Sequence, residues 1–174
     1  MTKNILYAYA NIDPKLGYSQ GMNFIVYVLL KNINDEEKVF WCLYDIMYNK
    51  NWRLILKDET PKFKELVRVW RTSIYTEDKK LYKKLAKCGV PFLGIFAKFY
   101  ISLFANICSV QVASRIFDVF LYEGEKRITQ IIVKLFRFHK KKIMSIDKDD
   151  ILSFVNENLL NSYLESNSIS SLVT

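Results

Sequence analysis

Apolar residues recur three and four positions apart in segment after segment of this chain, and that period commits it to helices. Val39, Phe40, Leu43, Ile46 and Met47 make one stripe. Phe63, Leu66, Val67 and Trp70 make another, and Ile128, Ile131, Ile132, Leu135 and Phe136 a third. A strand would need alternation in twos, and no such run flanked by an Asn-Gly turn occurs. Five glycines and three prolines in 174 residues are too few turn residues for a sandwich or a barrel. A hydrophobic fraction of 51% with 15% aromatics supplies a sizeable core and excludes disorder for the chain as a whole. No Ser/Gly/Pro linker or internal repeat divides it. The expectation is one all-α domain of about eight or nine helices.

Start and stop signals punctuate the stripes. Residues 2–10 read as the end of a helix, with Ile5, Leu6 and Tyr9 on one side. Asn34-Asp35-Glu36-Glu37 sets a cap before an acidic first turn and opens a helix over roughly 35–49. The loop from Lys50 to Glu59 holds Trp52 and Leu54, whose apolar bulk needs burial. Thr60-Pro61 places a cap before a proline at the first helical position. Thr76-Glu77-Asp78 opens a short helix with Leu81, Tyr82 and Leu85 inward, closed by Cys88-Gly89-Val90-Pro91. From Phe92 to Phe104 the chain is strongly apolar and is expected to form one nearly buried helix. Ser109 caps the next, with Val112, Ala113, Ile116, Phe117 and Phe120 inward and a break at Glu123-Gly124. Asp147 caps another, with Ile151, Phe154 and Val155 inward. The Ser- and Asn-rich tail, residues 165–174, is expected to fray.

Several kinds of chemistry are argued against. Cys42, Cys88 and Cys108 lie far apart, with only His139 to join them as a ligand, so no metal site is expected. Each cysteine reads as a small buried hydrophobe in a reducing compartment. No Gly-rich phosphate loop and no Gly-x-Ser-x-Gly elbow occurs, so no nucleotide or cofactor is expected on this chain. His139 at a helix end and the Arg115–Asp118 pair read as structural. The formal net charge of +8 suits an anionic membrane surface, nucleic acid or an acidic protein. The lysines are not interleaved with arginine and aromatics as on an RNA platform, which argues against nucleic acid. Met1-Thr2-Lys3-Asn4 has no signal-peptide core, and no apolar run reaches the roughly 18 residues that span a bilayer. A cytoplasmic protein, peripheral on membranes at most, is expected.

The segment Gly17-Tyr18-Ser19-Gln20-Gly21-Met22-Asn23 stands apart. A proline and two glycines surround it, and the apolar run Phe24-Ile25-Val26-Tyr27-Val28-Leu29-Leu30 follows. Such residues fix an unusual loop path at the mouth of a buried helix. Gln20 there has two amide donors and a carbonyl acceptor with which to orient a water or hold a peptide. On the residues alone, an ordinary turn before a core helix fits as well.

The wider pattern resembles a known family. Tyr18-Ser19-Gln20-Gly21-Met22-Asn23, after Leu6-Tyr7-Ala8-Tyr9-Ala10 and Pro14, resembles the Tyr-x-Gln-Gly-Met-Asn motif of TBC domains, the catalytic domains of Rab GTPase-activating proteins. Glu36-Glu37 with Phe40-Trp41, the segment Phe99–Phe104, and Arg115-Ile116-Phe117-Asp118 through Glu123-Gly124 resemble later family segments in order and spacing. Phe99 and Phe117 stand where the family has tryptophan, and Lys140-Lys141-Lys142 replaces its acidic stretch. The resemblance implies an all-α fold and a Rab-family small GTPase as partner, itself holding GTP and magnesium. It also implies that Gln20 is a catalytic glutamine orienting the attacking water, with Tyr18, Gly21, Met22 and Asn23 fixing its loop or touching the GTPase. TBC domains also carry a catalytic arginine in Ile-x-x-Asp-x-x-Arg, upstream of the glutamine. None of Arg53, Arg68, Arg71, Arg115, Arg127 and Arg137 has Asp three residues before it. The resemblance therefore implies a domain lacking part of its N-terminal subdomain. An apolar surface near Ile5, Leu6 and Tyr9, and self-association through it, are then expected. An inactive Rab-binding module and a plain helical scaffold remain the alternatives.

Overall fold

The computed structural model describes residues 1–57 and 60–174, so the end of the loop expected at 50–59 lies outside the described residues. Helices α1 (Thr2–Ile12), α2 (Met22–Asn32) and α3 (Glu36–Tyr44) pack on one another. α3 runs on into a π-helical segment, Asp45–Asn49, which keeps Val39, Leu43, Ile46 and Met47 in the core. A single turn, α4 (Arg53–Leu56), then leads to α5 (Pro61–Glu77), α6 (Lys79–Lys87) and α7 (Phe92–Tyr100). The long pair α8 (Val110–Glu123) and α9 (Glu125–Phe138) follows, broken at Gly124 as expected. α10 (Lys140–Ser145), α11 (Lys148–Glu157), α12 (Leu159–Leu164) and α13 (Ile169–Val173) close the chain, and no strand occurs among the described residues.

α8 joins the two halves, packing on α2 at one side and on α9 at the other. In the far half, Trp70 of α5 anchors an aromatic cluster. Its ring lies 4.5 Å from Phe96, 5.0 Å from Phe136 and 5.3 Å from Phe92 between centroids. Such tilted and edge-on pairs add stabilisation beyond the area they bury. Asp35, Asp78, Ser109 and Asp147 each accept a backbone N–H of the first turn of the helix they cap. Thr60 does not, although Pro61 does open α5. α5 continues through Glu77, and within the expected Thr76-Glu77-Asp78 start signal it is Asp78 that caps α6.

Three expectations need correction. The described residues form thirteen α-helices, and the surplus over eight or nine is short elements such as α4, α10, α12 and α13. The apolar run Phe92–Phe104 is not one helix. It turns after Tyr100, and Leu103 and Phe104 take left-handed φ values of 50° and 67° while fully buried. Non-glycine residues adopt this conformation at a cost, and here burial of both side chains offsets it. The tail expected to fray forms α13 on α8 and α9, with Leu172 buried. Arg127 Nη2 donates to the carbonyls of Val173 and Thr174 at 2.5 and 2.6 Å, and Lys134 Nζ donates to that of Ser171.

Smaller features follow their chemistry. Trp52 is buried against Phe120, while Leu54 is half-buried and Ile55 takes the core position. His139 is buried, its Nε2 2.9 Å from the Leu159 carbonyl, and burial holds its pKa below the ordinary value. The three cysteines are free and half-buried rather than buried, and burial pushes the Cys108 thiol up to about 12. Arg115 and Asp118 form an exposed pair at 3.5 Å, too solvated to matter much for stability.

Candidate functional site

The loop between α1 and α2 begins at a carboxylate withdrawn from water. Asp13 is 2% exposed, and its carbonyl accepts the N–H groups of Leu16 and Gly17 at 3.1 and 2.7 Å. Gly17 takes a φ of 62°, which reverses the chain at little cost. The loop ends at Gly21, with φ 105°, where a Cβ would lie 2.4 Å from Ile101 Cγ2. Only glycine fits there, so the Gln20–Gly21 backbone lies flush against the turn that follows α7. Ser19 N–H donates to Met22 Sδ at 3.3 Å, and Tyr18 Oη donates to Asn23 Oδ1 at 3.3 Å.

Gln20 stands exposed at the crest of this loop, and among the described residues its amide makes no hydrogen bond. Both ends of the loop are tied while the amide remains open to an incoming group. An amide so placed can donate to a phosphate oxygen, accept from a water, or do both at once.

The brace is an ion pair across the fold. Arg53 Nε and Nη2 of α4 grip the two Asp13 oxygens at 2.8 and 2.7 Å, the fork geometry that makes an arginine–carboxylate pair strong. Tyr9 Oη donates to the same carboxylate at 3.2 Å, and the Tyr48 ring lies 4.7 Å from the guanidinium. Burial and the Asp13 carboxylate push the Tyr9 phenol well above its ordinary pKa. Burial opposes the charge on Arg53, but its hydrogen bonds and attraction to Asp13 outweigh that and raise its pKa. Neither Asp13 nor Arg53 is suggested as a site residue by sequence spacing. The signal available was local: Asp13 lies four residues after Tyr9, one helical turn on, directly before Pro14.

Of the residues assigned to partner contact, Tyr18 is 55% exposed and Asn23 half-buried, both beside Gln20. Met22 is fully buried, so the partner contact expected of it is corrected: it starts the inward stripe of α2 with Ile25 and Val26 and, through the Ser19 N–H on its Sδ, fixes the loop from within. Gly21 is also buried, and its clearance serves Ile101 within the chain. Ile5 and Tyr9, expected on an exposed apolar surface, are buried as well. Of the three residues expected there, Leu6 does reach an apolar surface, a groove of about 500 Å³ lined by Thr2, Lys3, Leu6, Tyr7, Ala10 and Tyr18. Phe24 and Tyr27 on α2 and Trp41 on α3 are further exposed aromatics on this three-helix unit.

No helix among the described residues is long and apolar enough to cross a membrane. The Rab-GTPase-TBC domain family model matches residues 1–144. GTPase-activating protein GYP5 of Eremothecium gossypii is 27% identical over 164 residues, covering 94% of this chain and 20% of that protein. Growth hormone-regulated TBC protein 1 of Homo sapiens is 31% identical over 147 residues, covering 81% of this chain and 42% of that one. The chain thus spans about a fifth of the length of GYP5 and under half of the human relative. The crystal structure of the Ypt/Rab-GAP domain of Gyp1p superposes with a TM-score of 0.85 at 17% identity, covering 99% of this chain and 62% of that domain. With a family model matched over most of its length and the fold of a solved Rab-GAP domain, the chain belongs to the Rab-GTPase-TBC domain family.

Proposed function

We propose that this chain binds a GTP-loaded Rab-family GTPase and places Gln20 against the water that attacks the γ-phosphoryl group. The observation that carries this reading is the exposed, unengaged amide of Gln20 on a loop tied at Asp13 and at Gly21. Positioning a nucleophilic water is worth orders of magnitude in phosphoryl transfer, because the protein contributes geometry and charge rather than covalent chemistry. Tyr18 and Asn23 shape the contact around the amide. The nucleotide and its magnesium ion belong to the GTPase.

The larger electrostatic contribution in such reactions comes from an arginine, about 10³–10⁵ in rate. Arg53 is committed to Asp13. Arg115 is close to the far end of α2, since its neighbour Ser114 accepts a hydrogen bond from Asn32. α2 has 11 residues, which puts that end about 16 Å from Gln20. Arg127 and Arg137 serve the α13 carbonyls and Glu77. Arg68 and Arg71 sit on α5, which packs chiefly on α4, α6, α7 and α9 and not on the helices that flank the Gln20 loop. The isolated chain is therefore a binder and a weak activator. Single-turnover GTP hydrolysis across a panel of Rab proteins, beside capture by GTP-locked forms, tests this. Capture with slight acceleration that Gln20→Ala abolishes fits the proposal. Capture with no acceleration at all favours a binding module, and no capture favours a scaffold.

A further inference from the structure

We propose that the outer faces of α5 and α6 form a docking surface for an anionic lipid bilayer. Residues 61–87 contain nine Lys and Arg against three Asp and Glu, so six of the eight net positive charges sit in 27 of 174 residues. The three carboxylates are engaged: Glu65 with Lys62, Glu77 with Arg137, and Asp78 with Lys140 and the Leu81 N–H. Arg68, Arg71, Lys79, Lys80, Lys83 and Lys87 are exposed and, among the described residues, form no ion pair.

These cations are arranged rather than scattered. An open hollow of about 300 Å³ between the helices is lined by Arg68, Arg71, Thr72, Tyr75 and Tyr82, with no carboxylate. Arg71 Nη2 donates to Tyr82 Oη at 3.1 Å, and its guanidinium lies 5.5 Å from the Phe92 ring. Lys79 and Lys83 share the Tyr82 side of α6, one turn apart. Two guanidinium groups and two phenols line the hollow where a phosphodiester headgroup would sit, while the Thr72 hydroxyl donates to the Arg68 carbonyl at 3.2 Å. The larger hollow between α5, α9 and α12 differs, because its Arg137 and Lys140 are neutralised by Glu77 and Asp78.

A bilayer suits this face better than nucleic acid. Tyr75 and Tyr82 meet edge-on at 87°, and the Lys79 ammonium covers the Tyr75 ring at 5.2 Å. Neither ring is presented as a stacking platform for bases. Lysine stems and a 44%-exposed tyrosine instead match an interface that is apolar below and charged above. α5 and α6 pack chiefly on each other and on α4, α7, α9 and α10, so docking here leaves the Gln20 loop free.

Vesicle co-sedimentation tests the proposal independently of any GTPase. The chain should sediment with phosphatidylcholine vesicles containing phosphatidylserine and not with phosphatidylcholine alone, and added salt should release it. Arg68→Glu with Arg71→Glu should weaken capture at least about tenfold. Lys79→Glu with Lys83→Glu is the second variant should the first misfold. The charge-matched change Arg115→Glu with Lys126→Glu, at exposed sites on α8 and α9, should stay within about twofold. Equal loss in both pairs, or no capture by the anionic vesicles, overturns the proposal. Tighter binding to an oligonucleotide or to polyglutamate than to the vesicles overturns it too, and assigns the face to nucleic acid or to an acidic protein.

Discussion

Gln20 owes its position to side chains it does not touch. Asp13 begins its loop, and Arg53 makes that buried carboxylate tolerable. Arg53→Ala would strand a charge that is 2% exposed, so it should cost about 3 kcal/mol in urea unfolding. Arg53→Lys should recover only part of this, because an ammonium cannot reproduce the two-pronged contact. An Arg53→Ala chain as stable as the wild type would show that the pair does not brace the loop. The two members of this site differed in how visible they were. Gln20 belongs to a contiguous motif, whereas Asp13 and Arg53 lie 40 residues apart and meet only in the fold. Met22 shows the opposite failure. Membership of the motif suggested partner contact, yet its spacing of three and four to Ile25 and Val26 already put it on the buried stripe.

At the scale of elements, the site depends on where α7 stops. The turn after Tyr100 carries Ile101 Cγ2 to within 2.4 Å of where a Gly21 Cβ would lie, and the φ of 105° there strains any residue but glycine. Gly21→Ala should cost about 1–3 kcal/mol and lower GTPase activation further by displacing Gln20. Thermal melting beside single-turnover kinetics checks both, and an unchanged melting point would mean that the loop can shift freely. The capped, striped helices were legible because caps and period are local. The break in Phe92–Phe104 was not, since two apolar residues in left-handed backbone look no different in sequence from helix. The tail misled for a related reason. Serine and asparagine suggested fraying, but Leu172 and the carbonyls held by Arg127 and Lys134 fix it from across the fold.

For the whole molecule, α1 to α3 carry the open loop and the apolar groove, and α5 with α6 carries the basic face. The groove leaves Tyr7 70% exposed, so concentration-dependent self-association is expected in sedimentation velocity. Tyr7→Lys should abolish it without loss of fold, because that side chain adds little to the core. A wild-type chain that stays monomeric at high concentration would contradict this. The all-α class was readable from period and composition, while the division of labour between these faces needed the packing. Single-turnover hydrolysis by GTP-loaded Rab proteins at saturating chain probes the role of Gln20 without intermediaries. A small acceleration is expected, which Gln20→Ala lowers at least about tenfold while capture of the GTP-locked Rab is retained. Undiminished acceleration by the Gln20→Ala chain would contradict that role.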